Sequence, residues 1–128
     1  MPTEVTNGIR ISVRSHFEAA HSDPRAFRYL FTYRITITNT GRDAVKLLRR
    51  HWIIRDSMAA TREVEGPGVV GETPVIVPGA SHSYVSACDL RSGMGRMEGT
   101  YLMERVEDGR RFHVGIPPFE LLHPALAN

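Results

Sequence analysis

The stretch Tyr29-Leu30-Phe31-Thr32-Tyr33-Arg34-Ile35-Thr36-Ile37-Thr38-Asn39 decides the fold. Its odd positions through Ile37 are aromatic or β-branched apolar residues, and its even positions after Leu30 are Thr32, Arg34, Thr36 and Thr38. An extended chain sends successive side chains to opposite faces, so this spacing makes one apolar face and one wet face. The residue types suit the same geometry. Upstream, Ile9, Ile11, Val13, Ser15 and Phe17 repeat the pattern. Downstream, Asn39-Thr40-Gly41-Arg42-Asp43 is turn chemistry and leads into a strand over Val45 to Asp56. In that strand Leu48, Trp52 and Ile54 read onto the buried face, with Arg50 nearer an edge, and Arg49, His51 and Arg55 onto the wet face.

Short strands are predicted over Glu63 to Glu65, Val75 to Val77, His82 to Cys88, Met97 to Val106 and Arg111 to Ile116. Asp108-Gly109 reads as the tight turn joining the last two. Pro74, Pro78, Pro117 and Pro118, with the glycines between them, break the windows a helix would need. Ser15 to Ala26, limited by Pro24, reads as a loop carrying His16 and His21. Short strands separated by regular turn clusters are the pattern of an all-β, two-sheet antiparallel sandwich. The expected organisation is a single domain over residues 1–128, with a core over about 9–122. The closing Leu121 to Asn128 is expected to pack weakly, with 123–128 as its tail.

Composition narrows the function classes. A hydrophobic content of 41% and a charged content of 23% fit a folded globular chain. The single cysteine, Cys88, excludes an internal disulfide and a cysteine zinc cluster. Met1-Pro2-Thr3-Glu4 opens no basic-then-apolar signal segment, and apolar runs stop at three or four residues. No membrane insertion is expected, and a reducing cytoplasm is the expected location. The sixteen basic residues are all arginine except Lys46. Fourteen carboxylates nearly balance them, so the skew reads as codon composition and not as a specific nucleic-acid surface.

The motif nearest to chemistry is Gly66-Pro67-Gly68-Val69-Val70-Gly71. A dinucleotide-binding reading of GxGxxG needs a helix to open at the last glycine, and Pro74 and Pro78 forbid it. Two readings remain. Either the glycines supply left-handed backbone in an inter-strand loop, or consecutive N–H groups make a small anion nest. In the second reading Gly66, Gly68 and Gly71 hold the anion, with charge from Arg50 or Arg62 and help from His51, although Pro67 removes one donor. The histidines His16, His21, His51, His82, His113 and His123 form no HxH or HExxH pair, so no metal site is predicted. No Gly-x-Ser-x-Gly elbow appears, and Asp89 beside Cys88 disfavours a thiolate. No catalytic residue and no cofactor is expected.

Several stretches together are similar to one family. They are Thr36-Ile37-Thr38-Asn39, Leu47 to Ile54, Gly66 to Gly79, Tyr84-Val85-Ser86, Gly95 to Met103 and Phe112 to Phe119. In this order, over about Ile9 to Leu122, the chain resembles the ApaG family, also called DUF525 or CorD. The resemblance implies an immunoglobulin-like, fibronectin type III-like sandwich in a cytoplasmic bacterial protein. It also implies an association with cobalt resistance and magnesium efflux. The same domain occurs in an F-box protein and in a DNA polymerase δ-interacting protein, and the family name comes from a gene beside that of a diadenosine tetraphosphate hydrolase. The family's glycine motif has been discussed as a nucleotide or pyrophosphate site, and it brings no catalytic residues. Cys88 and Arg91-Ser92-Gly93-Met94 depart from the family's usual connection there.

Two functions follow. The first is a non-catalytic interaction module that takes a protein partner, or a second copy of itself, through a sheet edge. The second is a module that binds a phosphate-containing small molecule, such as pyrophosphate or a nucleotide, at the Gly66–Gly71 loop.

Overall fold

The alternation at Tyr29–Asn39 becomes an interior strand. The structure, a computed structural model, describes residues 1–126. Its strands are β1 (Thr3–Thr6), β2 (Ile9–Phe17), β3 (Tyr29–Asn39), β4 (Val45–Asp56), β5 (Ala59–Pro67), β6 (Val75–Ile76), β7 (Ser81–Leu90), β8 (Met94–Arg105) and β9 (Arg111–Leu122). One antiparallel sheet runs β1-β2-β3-β7 and the other runs β5-β4-β8-β9, with β6 pairing the start of β4. Helical pieces among the described residues are the single 3₁₀ turns Ala19–His21, Pro24–Ala26 and Pro124–Leu126. Among the described residues no helix is long and apolar enough to cross a membrane. The fold is an immunoglobulin-like two-sheet antiparallel sandwich.

The inner faces meet around Trp52, which is 3% exposed. Its ring stands edge-on to Tyr33 of the facing sheet at 5.5 Å and to Phe119 at 5.9 Å. Each such pair contributes about 1 kcal/mol beyond area burial. Ile9, Ile11 and Val13 from β2 and Ile35 and Ile37 from β3 complete the first layer, all nearly inaccessible to solvent.

The second sheet departs from simple alternation. Leu47 pairs with Met103 and Arg49 with Leu102, so Leu48 is left over as a bulge. One extra residue reverses the inward phase. Val45 and Leu47 therefore face the core before the bulge, and Arg50, Trp52 and Ile54 face it afterwards. Leu47 is fully buried and Leu48 only half-buried, which corrects the assignment of Leu48 to the core.

Other expectations change at element boundaries. β5 extends well beyond Glu63–Glu65. His16 lies in β2 opposite Thr32, and His21 lies in the first 3₁₀ turn, so Ser15–Ala26 is not wholly a loop. Arg105 and Arg111 bound a longer hairpin loop than Asp108-Gly109 alone, with Gly109 at φ +71°. β9 continues to Leu122 because its register shifts between Phe119, opposite Met97, and Ile116, opposite Gly99. Pro117 and Pro118 sit in that irregularity on an edge strand, where missing N–H groups cost little. Leu121 is consequently fully buried, and not part of a loose tail. His123 stacks against Phe17 at 4.5 Å, and a side chain at Gly93 would run into it. The end of the expected tail, beyond 126, lies outside the described residues. β1 carried no legible period, since Thr3–Thr6 has one large apolar residue.

Candidate functional site: the open side of the sandwich

The glycine motif folds at the end of β5. Gly66 lies opposite Arg50 in the β4–β5 ladder. Gly68, Val70 and Gly71 have φ of +61°, +47° and +77°. The N–H of Val69 donates to Glu72 O at 2.8 Å, and the N–H of Glu72 returns to Val69 O at 3.0 Å. With both central residues left-handed, this is a two-residue turn of the primed kind. The N–H of Gly68 is also committed, to Leu48 O at 2.8 Å. Val70 and Gly71 are left as the loop's N–H groups without a backbone partner.

The three glycines differ in their constraints. A side chain at Gly68 would strike the Glu72 carbonyl, and one at Gly66 would press on the Arg50 guanidinium at 3.1 Å. One at Gly71 would meet nothing within 4 Å. Arg50 folds over Gly66, and its Nη1 donates to Pro67 O at 3.0 Å and Gly68 O at 3.1 Å. Among the described residues it has no carboxylate partner.

Arg50 borders a cavity of about 410 Å³ whose lining includes Tyr33, Val69, Val70, Tyr84 and Ser86. Burial pushes the Tyr33 hydroxyl above its ordinary pKa, against the lowering effects of Ser86 and Arg50. Burial pushes Tyr84 up strongly as well, and its hydroxyl shares a hydrogen bond with Tyr101. Both phenols therefore stay neutral, and the guanidinium sets the sign of the cavity. The structure gathers Gly66, Gly68, Gly71 and Arg50 at this place. His51 is elsewhere: it follows Arg50 in the strand, so it points from the opposite face, where Nε2 lies 3.0 Å from Glu63 Oε1. Tyr33, Tyr84 and Ser86 come from the other sheet, and no sequence spacing announced them.

The strand edges are unequal. β9 is covered by the first sheet: Gly115 N–H donates to Thr6 Oγ1 at 3.3 Å, and Ser15 Oγ donates to Glu120 O at 3.1 Å. On the other side, Arg62 crosses from β5 to the Asp89 carbonyl and carboxylate at one end of β7. Farther along the same strand, Tyr84 to Ser86 face the glycine loop across the cavity. β5 itself is different. Its nine residues are all exposed except Gly66, and among the described residues only β4 pairs with its backbone, Arg62 reaching β7 by its side chain.

Which groups β5 offers follows from one bond. The N–H of Gly68 points to β4, and backbone direction alternates along a strand. Gly66, Val64 and Arg62 therefore also hydrogen-bond to β4, and Glu65, Glu63 and Thr61 turn their N–H and C=O to solvent. Pro67 fits the same phase, since its missing donor falls on the outward side. By side chain, Glu63 and Glu65 lie on the sheet's outer face with His51, while Val64 lies on the Trp52 face and is 38% exposed.

Cys88 is not poised for chemistry. Burial pushes its thiol up to about 11; Arg62 works against this and Asp89 adds to it. Burial, more than the Asp89 neighbour that the sequence pointed to, is the main cause. Among the described residues no three His, Cys, Asp or Glu side chains converge as metal ligands.

Comparison with known proteins bears on the whole chain. Residues 19–105 match the family model described as DUF525, ApaG domain. The chain is 48% identical over 116 residues to Protein ApaG of Methylobacterium sp. (strain 4-46), covering 91% of this chain and 88% of that one. It is 43% identical over 128 residues to Protein ApaG of Anaeromyxobacter dehalogenans (strain 2CP-C), covering all of both. A crystal structure described as the putative ApaA protein from Bordetella pertussis superposes with a TM-score of 0.87 at 38% identity, covering 96% of each chain. The match extends through the glycine loop and both sheets, and the chain belongs to the ApaG domain (DUF525) family.

Proposed function

We propose that this protein is a non-catalytic docking module, acting in the cytoplasm as a single domain, whose β5 recruits an extended segment of a partner protein. The observation that carries the reading is the outer edge of β5, a strand of nine residues whose outward backbone pairs with no other strand among the described residues. Strand addition takes affinity from main-chain hydrogen bonds and specificity from alternate side chains. Here Glu63 and Glu65 lie against His51 at 3.0 Å and Arg49 at 3.7 Å within the sheet. Both stay exposed and keep acceptor oxygens that favour basic residues on the outer face of the added strand, and Val64 favours apolar residues on its inner face. The partner is thus a segment of alternating basic and apolar residues. The cobalt-resistance and magnesium-efflux association implied by the resemblance would be exerted through such a partner, since the domain has neither a membrane-crossing helix nor a metal cluster among its described residues.

The test is binding of a labelled peptide of alternating lysine and valine, about eight residues long, followed by fluorescence anisotropy. Glu63→Pro removes one outward N–H without touching the β4 ladder and should weaken binding at least about tenfold. Glu63→Gln keeps the N–H and should lose only a few-fold. Equal binding by the native chain and Glu63→Pro would refute the reading.

A second reading has its own support. Arg50, which donates to Pro67 O and Gly68 O and has no carboxylate partner among the described residues, lines the cavity of about 410 Å³ together with Val70 and Gly71, a set that suits a phosphate or pyrophosphate group. Pyrophosphate-induced amide shifts at Val70 and Gly71, lost in Arg50→Ala, would favour it; silence there would remove it.

A further inference from the structure

A second cavity, of about 370 Å³, opens at one end of the sandwich and contains no residue of the glycine loop. Phe112, with the edges of the core residues Ile9 and Val45, forms its apolar lining, and Arg42, Arg105, Arg110 and Asp43 its charged one. Arg105 is already occupied. Its Nε donates to Asp108 at 3.0 Å, its Nη2 pairs with the same carboxylate, and its Nη1 lies 3.5 Å from Asp43. Arg42 and Arg110 have no carboxylate partner among the described residues.

The walls are braced by the chain's own hydrogen bonds. Asn7 and Gly8 take φ of +48° and +79° in the β1–β2 turn. The Gly8 carbonyl accepts from Thr40 N–H at 2.8 Å and from Thr40 Oγ1 at 2.6 Å. Asn39, fully buried, donates through Nδ2 to Asp43 O at 2.8 Å and Ile76 O at 2.9 Å, and its Oδ1 accepts from Gly41 N–H at 2.9 Å. A cavity held this way loses little freedom on binding.

We propose that this cavity binds a phosphomonoester carried on a small apolar or aromatic body. Arg42 and Arg110 make no direct ion pair among the described residues, and the three arginines exceed Asp43 and Asp108 by one charge. Their forked donors suit the three terminal oxygens of a phosphomonoester, where a monocarboxylate offers two. Phe112, half-buried, gives the body of the ligand an apolar surface to cover, which inorganic phosphate alone would leave wet.

The experiment is an amide NMR titration with phenyl phosphate, inorganic phosphate and phenol as separate probes. Phenyl phosphate should move Gly41, Arg42, Arg110 and Phe112, with a dissociation constant of about 0.1–1 mM. Inorganic phosphate should bind more weakly at the same amides, and phenol should leave them still. Arg42→Ala with Arg110→Ala, both at exposed positions, should weaken phenyl phosphate at least about tenfold while the rest of the spectrum stays native. Shifts confined to Val70 and Gly71, undiminished binding by the double variant, or phenol binding as well as phenyl phosphate would each overturn the assignment.

Discussion

Gly68→Ala and Gly71→Ala make a matched pair that separates conformational freedom from space. Both glycines are left-handed, at φ +61° and +77°. An alanine in that region costs about 1–2 kcal/mol. At Gly71 that is the whole effect, because the new Cβ meets nothing within 4 Å. At Gly68 the Cβ collides with the Glu72 carbonyl, so the turn must open and the reciprocal Val69–Glu72 hydrogen bonds are lost. Two such bonds add about 2 kcal/mol, for a total of about 3–4 kcal/mol. An unfolding entropy of about 2.1 cal/mol/K per residue, over this chain length, makes 1 kcal/mol worth about 4 °C in Tm. Calorimetry should therefore show Tm falling by about 4–8 °C for Gly71→Ala and about 12–16 °C for Gly68→Ala. Equal losses, or a larger loss at Gly71, would refute the division of roles within the motif.

The β4 bulge predicts that Leu47→Ala costs about 3 kcal/mol in chemical denaturation while Leu48→Ala costs under about 1 kcal/mol; the reverse order would place the bulge elsewhere. Cys88, its thiol pushed up to about 11 chiefly by burial, should resist a thiol reagent at neutral pH and react promptly once denaturant unfolds the chain. At Asp56, partial burial pushes the carboxyl up, but the N–H groups of Arg91 and Met58 and the Ser92 hydroxyl outweigh it and hold the pKa below its ordinary value. That stabilisation is complete above the unfolded carboxyl pKa and is lost as pH falls through the lower folded value. Asp56→Ala should thus be less stable by about 2 kcal/mol at pH 7, with the gap to the native chain narrowing in acid; a gap independent of pH would contradict the assignment.

Elements with a long apolar period were legible in the sequence. Tyr29–Asn39 matches an observed strand end to end, because Phe31, Tyr33, Ile35, Ile37 and Asn39 bury one face. The run from Ile9 was legible through Val13, where β2 is buried, and less so at Ser15 and Phe17, where it emerges from the core. What stayed hidden depends on contacts remote in sequence. The displacement of Leu48 requires knowing that Leu47 pairs with Met103. β9 crosses Pro117-Pro118 only because Phe119 and Leu121 find core positions beyond them. β5 was nearly invisible because an exposed edge strand has no apolar face to write a period. The glycine loop and Arg50 were found together since they are neighbours across one ladder, whereas alternation places His51 on the other side. The tyrosines and Ser86 of the cavity belong to the opposite sheet, and local pattern carries no record of them.

The docking account is tested most directly by residue-resolved amide hydrogen exchange along β5, alone and with the lysine–valine peptide. The account predicts alternating behaviour in the free protein, with Arg62, Val64 and Gly66 slow and Thr61, Glu63 and Glu65 fast, and selective slowing of the fast set when peptide is added. Uniform protection in the free protein, or fast exchange at Glu63 and Glu65 unchanged by the peptide, would contradict it.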